Sequence, residues 1–258
     1  MKSKNENFAF DIKKEYPQEF YDEYIQKFEN KGKKSIIFRF FKRSFDIIMS
    51  FLMLVILSPL FLIIALAIII DDPKGHVFFV QKRMGRGGKT FRCIKFRSMK
   101  TNAPHDVATS RLEHAGNYQT KVGNLLRKLS LDELPQLYCV FIGTMSFIGY
   151  RPLCLTEENC NNMRKALNVF SMRPGISGLA QVNGRDDLYY KNKALLDAEY
   201  VKKASVWLDI KLMFKTVGTV LFRKGNKDVK EKINNRTAGG GKLLNSKILL
   251  AIWCGAVV

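Results

Sequence analysis

The sequence predicts a mainly helical α+β fold, in which a long apolar segment broken near its middle precedes a compact, membrane-associated domain with a small β-hairpin. Three observations lead there. Residues Phe45 to Ile70, FDIIMSFLMLVILSPLFLIIALAIII, hold Asp46 as their only charge and Ser58-Pro59 at their centre. Two extended runs, VFFVQKR and TFRCIKF, flank the glycine-rich MGRGGK. Residues 120–222 read as predominantly helical, interrupted at Pro135, at Gly149 to Pro152 and at Pro174 to Gly178.

The apolar run exceeds the ~20 residues a membrane helix needs, and it is apolar on every face, which a buried soluble helix rarely is. It lies too far from the N-terminus, and is too long, for a cleaved signal peptide. Pro59 lacks the N–H that would bond the Val55 carbonyl, so the helix must at least kink there. Lys31, Lys33, Lys34, Arg39, Lys42 and Arg43 precede the run, whereas Asp71, Asp72 and Lys74, then Lys82 and Arg83, follow it. The positive-inside rule places the N-terminal flank in the cytoplasm. Local features leave two topologies open: a helix-break-helix hairpin with both flanks inside, or a kinked single-pass anchor.

Alternating runs around MGRGGK predict the hairpin. Residues 1–35 are polar with aromatics at Tyr16, Phe20, Tyr21 and Tyr24, and read as a short helix. Ile210, Phe214, Val217 and Leu221 recur at helical spacing opposite Lys211, Lys215 and Arg223, which fits a membrane-surface helix or a core-facing one. The ending ILLAIWCGAVV is too short to span a bilayer.

Composition narrows the classes. A chain of 258 residues that is 47% hydrophobic suits one sizeable folded domain and excludes bulk disorder. Forty-three Lys plus Arg against 23 Asp plus Glu leave +20, which calls for an anionic partner: nucleic acid, an acidic lipid surface or a phosphorylated substrate. Cys93, Cys139, Cys154, Cys160 and Cys254 form no CxxC pair, and a scattered odd set fits a reduced, cytoplasmic compartment. His76, His105 and His114 lack the i, i+4 spacing of a helical zinc pair and read as surface residues.

GGKT at Gly87 to Thr90 is a turn rather than a phosphate loop, because Arg83 stands where a Walker A motif needs its first glycine. No D-x-D triplet occurs, so the carboxylate pair that holds metal and nucleotide-sugar in many glycosyltransferases is missing. In RKLSLDELPQL, Asp132 and Glu133 follow Arg127 and Lys128. One reading is a helix start, with Asp132 as cap, or with Ser130 and Glu133 as a capping box, and Pro135 in the first turn. The other makes one carboxylate a nucleophile on phosphorus and the other a Mg²⁺ ligand, with arginine neutralising phosphate. MSFIGYRP supplies Arg151, and MRPGISGLAQVNGR supplies Arg173, Gln181, Asn183 and Arg185. A guanidinium binds two phosphate oxygens at once, and Gln or Asn bonds a base or sugar hydroxyl. Each arginine is otherwise a surface ion-pair residue.

FKRSFD, the Ser58-Pro59 break, QKRMG, KFRSM, LSLDELPQL, MSFIGYRP, RPGISGLAQVNGR and LDAEYVKKASVWLDIK occur in this order between about Phe38 and Gly225. Together they resemble the bacterial sugar transferase family, the monotopic polyprenyl-phosphate phosphoglycosyl transferases. The resemblance implies a re-entrant membrane helix, with the catalytic domain on the cytoplasmic face of the bacterial inner membrane. It implies that Asp132 attacks the sugar-linked phosphorus of a UDP-sugar, that UMP leaves, and that undecaprenyl phosphate then takes the phosphosugar. Glu133 maps to the Mg²⁺-associated carboxylate, Arg127, Arg151 and Arg173 to basic positions near the substrate phosphates, and Lys42 and Arg43 to lipid headgroup contacts. Four regions follow: a polar extension at 1–37, the basic flank and membrane helix at 38–71, the catalytic domain at 72–225, and a tail at 226–258. Cys139, Thr144 and Tyr150 depart from the Asn, Asp and Pro common in the family, and at Tyr150 the departure removes a proline-fixed turn before Arg151. Two other classes compete. A nucleic-acid-binding protein would lack any recognisable module, so no nucleic-acid partner is expected; a catalytically weak scaffold for glycan assembly would bind without turnover.

Overall fold

The computed structural model describes residues 17–28, 34–103, 118–184 and 188–221. Arg185, His105, His114, Cys254 and the tail at 226–258 lie outside them. The broken apolar segment forms two helices, α2 (Ile36–Ile56) and α3 (Ser58–Asp71), which meet at Leu57 with a bend of 60°. Pro59 falls in the first turn of α3, where its missing N–H has no helical acceptor to lose. The Ser58 hydroxyl donates to the Val55 carbonyl at 2.8 Å, occupying the acceptor that a continuous helix would have paired with residue 59. Among the described residues no single helix is long and apolar enough to cross a membrane, whereas the bent pair together meets that condition.

The hairpin forms as expected. Strands β1 (Phe78–Met84) and β2 (Thr90–Phe96) pair antiparallel from Phe78 opposite Phe96 to Met84 opposite Thr90. The turn Arg86–Gly88 needs positive φ at Gly87 and Gly88, at 69° and 70°. Beyond it the chain is mainly helical: α4 (Lys121–Leu129), α5 (Gln136–Phe141), α6 (Glu158–Ala166), α7 (Leu179–Val182), α8 (Tyr190–Lys203) and α9 (Val206–Leu221).

The expected break at Pro174 to Gly178 and the residues just before the one at Gly149 turn out to be strands. Residues Ser146–Ile148 (β3) and Gly175–Ser177 (β4) pair in parallel, joining MSFIGYRP to RPGISG. Glycine is required for this approach: a Cβ on Gly178 would lie 1.8 Å from the Gly149 carbonyl oxygen, and one on Gly149 would lie 2.4 Å from that of Arg173. The main core gathers Cys160 of α6 and Ala194, Leu195 and Ala198 of α8 with Tyr150, Val169 and Phe170. Helix α1 (Gln18–Phe28) adds Tyr21, fully buried, whose hydroxyl donates to Asn192 at 3.1 Å.

The folded domain grips the bent pair at both ends. Asp46 is buried, and its Oδ1 accepts from the Ser146 hydroxyl at 3.1 Å and the Phe147 N–H at 3.2 Å. At the far end, Asp71 accepts from the Val122 N–H at 2.8 Å, capping α4, while Arg97 bonds both the carboxylate and the carbonyl of Asp72. Ile64 and Ile68 pack on Phe96 and Leu126. Between these anchors the apex stays uncovered, with Phe51, Val55, Ile56, Leu62 and Ile63 exposed.

Lys42 and Arg43, expected at lipid headgroups, turn inward. Lys42 pairs with Asp209 at 2.6 Å and reaches the Tyr200 hydroxyl at 3.3 Å. Arg43 donates to the Val140 and Phe141 carbonyls, each at 2.7 Å, a cation placed at the C-terminal end of α5. The α9 stripe is likewise not core-facing: Phe214 and Val217 are exposed at 75% and 56%, as is Trp207 at 71%, and the buried side is Leu212 with Leu208 and Met213. The Leu221 side chain lies outside the described set. An apolar exposed face on a helix whose other face is packed is the pattern of a membrane-surface helix.

Replacing both Ser58 and Pro59 with alanine should straighten the break, because residue 59 regains the N–H for Val55 while the competing hydroxyl is gone. Spin labels placed at residues 48 and 66 should then move apart relative to the parent chain; an unchanged distance distribution would show that the anchors at Asp46 and Asp71, not the break, set the bend.

Candidate active site

Asp132 and Glu133 sit in the link between two helices. Helix α4 ends where Ser130 takes a left-handed conformation, φ 58°, and the chain then makes a 3-10 turn over Leu131–Glu133 before Pro135 starts α5. Neither capping reading survives. The Ser130 hydroxyl makes no cap bond, and Glu133, 9% exposed, points away from the helix ends toward two cations. Its Oε1 accepts from Lys95 Nζ at 2.8 Å and Arg151 Nη2 at 2.9 Å, and its Oε2 lies 3.5 Å from Arg151 Nη1.

Asp132 has a different environment. Burial pushes its carboxyl above the ordinary range, opposed by Lys95, reinforced by Glu133, and opposed again by Arg127 and Arg151. Among the described residues no side chain or N–H donates to its carboxylate. It is therefore a partly desolvated carboxylate held among cations but bonded to none, whereas its neighbour is clamped. Two carboxylates against Lys95, Arg127 and Arg151 leave a surplus of positive charge, which suits phosphate rather than a neutral substrate.

Arg151 is positioned from behind. Arg164, wholly buried, forms an ion pair with the equally buried Asp197 at 2.5 Å, and its Nη1 donates to the Arg151 carbonyl at 2.8 Å. Tyr150, where the family pattern has proline, is 1% exposed and lies under the Arg164 guanidinium at 5.4 Å. The Gly175 N–H donates to its carbonyl at 2.8 Å. The turn that proline would have fixed is thus held by hydrogen bonds and stacking, and Arg151 reaches Glu133. The other two departures meet each other, the Thr144 hydroxyl donating to the Cys139 carbonyl at 3.0 Å.

The structure brings together Asp132, Glu133, Arg127 and Arg151, whereas Arg173, Asn183 and Gln181 have other surroundings and Arg185 lies outside the described residues. Arg173 donates through Nε to the Gly143 carbonyl at 2.8 Å, and its charged neighbours are Arg86, Arg43, Asp46 and Arg39. Asn183 bonds back to the Leu179 carbonyl at 2.8 Å across α7. Both amide atoms of Gln181 are buried without a partner. Lys95, Arg164 and Asp197 were not among the expected site residues. Lys95 had a signal: in FRCIKF it falls two residues from buried Cys93 on one face of β2, where an inward lysine needs a counter-ion. Arg164 and Asp197 carried none.

Among the described residues no group of three or more His, Cys, Asp or Glu forms a metal cluster. The donor set nonetheless fits an ion that takes one or two carboxylate oxygens and completes its shell with water and phosphate, as Mg²⁺ does. Asp132 accepts no hydrogen bond among the described residues, and the contact from Glu133 Oε2 to Arg151 Nη1 is a long one, at 3.5 Å.

A broken apolar helix pair anchored to a domain whose site is a carboxylate pair ringed by cations defines a membrane-associated enzyme class that handles phosphate. The family profile described as bacterial sugar transferase matches residues 37–223, and the chain belongs to that family. It is 37% identical over 199 residues to the exopolysaccharide production protein ExoY of Sinorhizobium fredii, covering 72% of this chain and 87% of that protein. It is 40% identical over 188 residues to the UDP-glucose:undecaprenyl-phosphate glucose-1-phosphate transferase of Escherichia coli, covering 69% of this chain and 40% of the relative. An uncharacterized sugar transferase of Haemophilus influenzae is 37% identical over 202 residues, 72% of this chain and 42% of its own length. The chain therefore spans less than half the length of the latter two relatives.

Two outcomes test this geometry. A carboxyl whose folded pKa is raised contributes stability below its unfolded pKa, near 3.8, and loses it as pH rises through the folded value. At neutral pH the ionised Asp132 is then a cost, so Asp132→Asn should melt at or above the parent temperature near pH 7, the gap closing toward pH 4. Arg164→Met should cost about 3–5 kcal/mol in denaturant unfolding, since it leaves Asp197 buried and unpaired. Asp197→Leu combined with Arg164→Met should recover much of that.

Proposed function

We propose that this chain transfers a sugar-1-phosphate from a UDP-sugar to undecaprenyl phosphate, releasing UMP, as the initiating step of a bacterial surface polysaccharide or glycoconjugate. The observation that carries the reading is the unequal pair: Asp132 open and partly desolvated, Glu133 fixed by Lys95 and Arg151. Relatives in Escherichia coli, Salmonella typhimurium and Aeromonas hydrophila are named for glucose, galactose and N-acetylgalactosamine transfer. What their names share is a phosphosugar moved to undecaprenyl phosphate.

In this reading an Asp132 carboxylate oxygen attacks the phosphorus bonded to the sugar, and the bond between that phosphorus and the oxygen leading to UMP breaks. UMP leaves and the phosphosugar remains on Asp132 as an acyl phosphate. The phosphate oxygen of undecaprenyl phosphate then attacks the same phosphorus and frees the carboxylate. Arg151 and Lys95 keep Glu133 in place, and Arg127 adds charge facing the departing phosphate. Mg²⁺, held by Glu133 and an Asp132 oxygen, would neutralise charge on the diphosphate.

The membrane reading is re-entrant, with both flanks and the catalytic domain on the cytoplasmic side of the inner membrane. Its support is mechanical. The first half of α2, through Lys42, Arg43 and Asp46, and the end of α3 are bonded to one compact body, whereas a single crossing would need them on opposite faces. The exposed apex between them, and the exposed face of α9, supply the lipid-facing surface.

Incubation with a radiolabelled UDP-sugar panel, Mg²⁺ and no lipid acceptor should leave label on the protein and release UMP; adding undecaprenyl phosphate should move the label to lipid. Asp132→Asn should abolish both by several orders of magnitude while the chain stays folded. A folded Asp132→Asn chain with the parent turnover would remove the nucleophile assignment. Binding of both substrates without any UMP release by the parent chain would instead indicate a scaffold.

A further inference from the structure

A second cationic site lies away from the carboxylates. A cavity of about 500 Å³ opens between the start of α2, the β1–β2 turn, the segment Phe170 to Arg173 and the end of α8. That volume is in the range of ligand sites. Lys95 stands opposite Phe79 in the hairpin, whereas Arg86 lies past the Met84–Thr90 pair at its closed end. Five residues of strand at ~3.4 Å each put the two positions roughly 17 Å apart.

Six basic side chains line the cavity, and Asp46 is its single acidic one. Two of the six are committed elsewhere: Lys34 donates to the carbonyls of Lys202 and Ala204, and Lys42 pairs with Asp209. Asp46 already accepts from Ser146 and Phe147. Arg173, which helps form the wall, is tied through Nε to the Gly143 carbonyl, its two terminal nitrogens making no hydrogen bond among the described residues, and the side chains of Arg39 and Arg86 make no hydrogen bond or ion pair among them either. Burial, then the nearness of Arg86 and Arg43, pushes the Arg173 guanidinium down from its usual range; Asp46 opposes this and Arg39 adds to it, as expected where cations outnumber the counter-charge. Phe38, Leu167, Phe170, Met172 and Val201 add an apolar part of the wall, interspersed with the polar Ser146, Asn168 and Ser171.

We propose that this cavity binds a phosphate group through Arg39, Arg86 and Arg173, as a site distinct from the Asp132–Glu133 centre. Three guanidiniums converging on one space match the bidentate geometry of a phosphate monoester or diester, and the apolar wall accommodates a carbon-rich body attached to it. The phosphate arrives either on a lipid, from the membrane around α2, or on a soluble nucleotide.

The test uses the full chain in a neutral detergent, titrated calorimetrically with dihexanoylphosphatidylglycerol and, separately, with UMP. At least one probe should bind the parent chain. Arg86→Gln, in an exposed turn where the side chain supports no packing, should weaken that binding about tenfold, and Arg86→Gln with Arg173→Gln about a hundredfold. With the lipid probe, Arg151→Gln and Asp132→Asn should bind as the parent does; UMP, the product of the proposed transfer, also meets the Asp132 centre, so its arm is read from the Arg86→Gln loss alone. Loss with the lipid probe alone assigns a membrane source, and loss with UMP alone a nucleotide source. Parent-like binding by Arg86→Gln, failure of both probes on the parent chain, or an equal loss of the lipid probe in Arg151→Gln would overturn the proposal. Because the readout is binding, it stands or falls separately from the transfer reaction.

Discussion

The ion pair between Arg164 and Asp197 is the contact on which the site depends. Two full charges at 0% and 1% exposure are tolerable only because each partner neutralises the other, and breaking either side leaves a charge in a medium that cannot solvate it. The pair does more than persist. The Arg164 guanidinium also holds the Arg151 carbonyl and lies over Tyr150, so the backbone that carries Arg151 is fixed from the core outward. Arg151 in turn fixes Glu133 together with Lys95. Asp132 is left as the one carboxylate of the centre that the fold does not bind, and that contrast is what gives two adjacent acids different chemistry.

A second constraint joins site to membrane. Asp46 lies in the apolar run, yet it spends its charge on Ser146 and Phe147 at the start of β3. The same strand continues into Gly149, Tyr150 and Arg151. The position of the membrane helix and that of the substrate-facing arginine are therefore referred to one short strand pair, itself possible because Gly149 and Gly178 lack side chains. Lys42 and Arg43 take part in this docking, through Asp209 and the end of α5.

Much of this was legible from local pattern. The break at Ser58-Pro59, the hairpin around MGRGGK and the helical character of the later half follow from proline chemistry and periodicity, which are properties of neighbours in sequence. What was not legible is pairing. Lys95 meets Glu133 across 38 residues, Lys42 meets Asp209 across 167, and Arg164 meets Asp197 across 33. An arginine written in MRKAL looks the same whether it faces water or a buried aspartate. The strands β3 and β4 escaped for a related reason: at three residues each, flanked by Pro and Gly, they carry too little alternation to register as anything but breaks.

The bonds that hold α2 also set an order of events during synthesis. Asp46 waits 100 residues for Ser146, and Lys42 waits 167 for Asp209. At a translation rate of ~5–20 residues per second, that is roughly 5 to 30 seconds in which the apolar run exists without its anchors. On the re-entrant reading proposed above, it is the bilayer that would hold the nascent helix pair through that interval, with Asp46 near enough to water to remain solvated. Insertion would then precede domain closure, and the catalytic domain would finish folding on a scaffold already tethered to lipid.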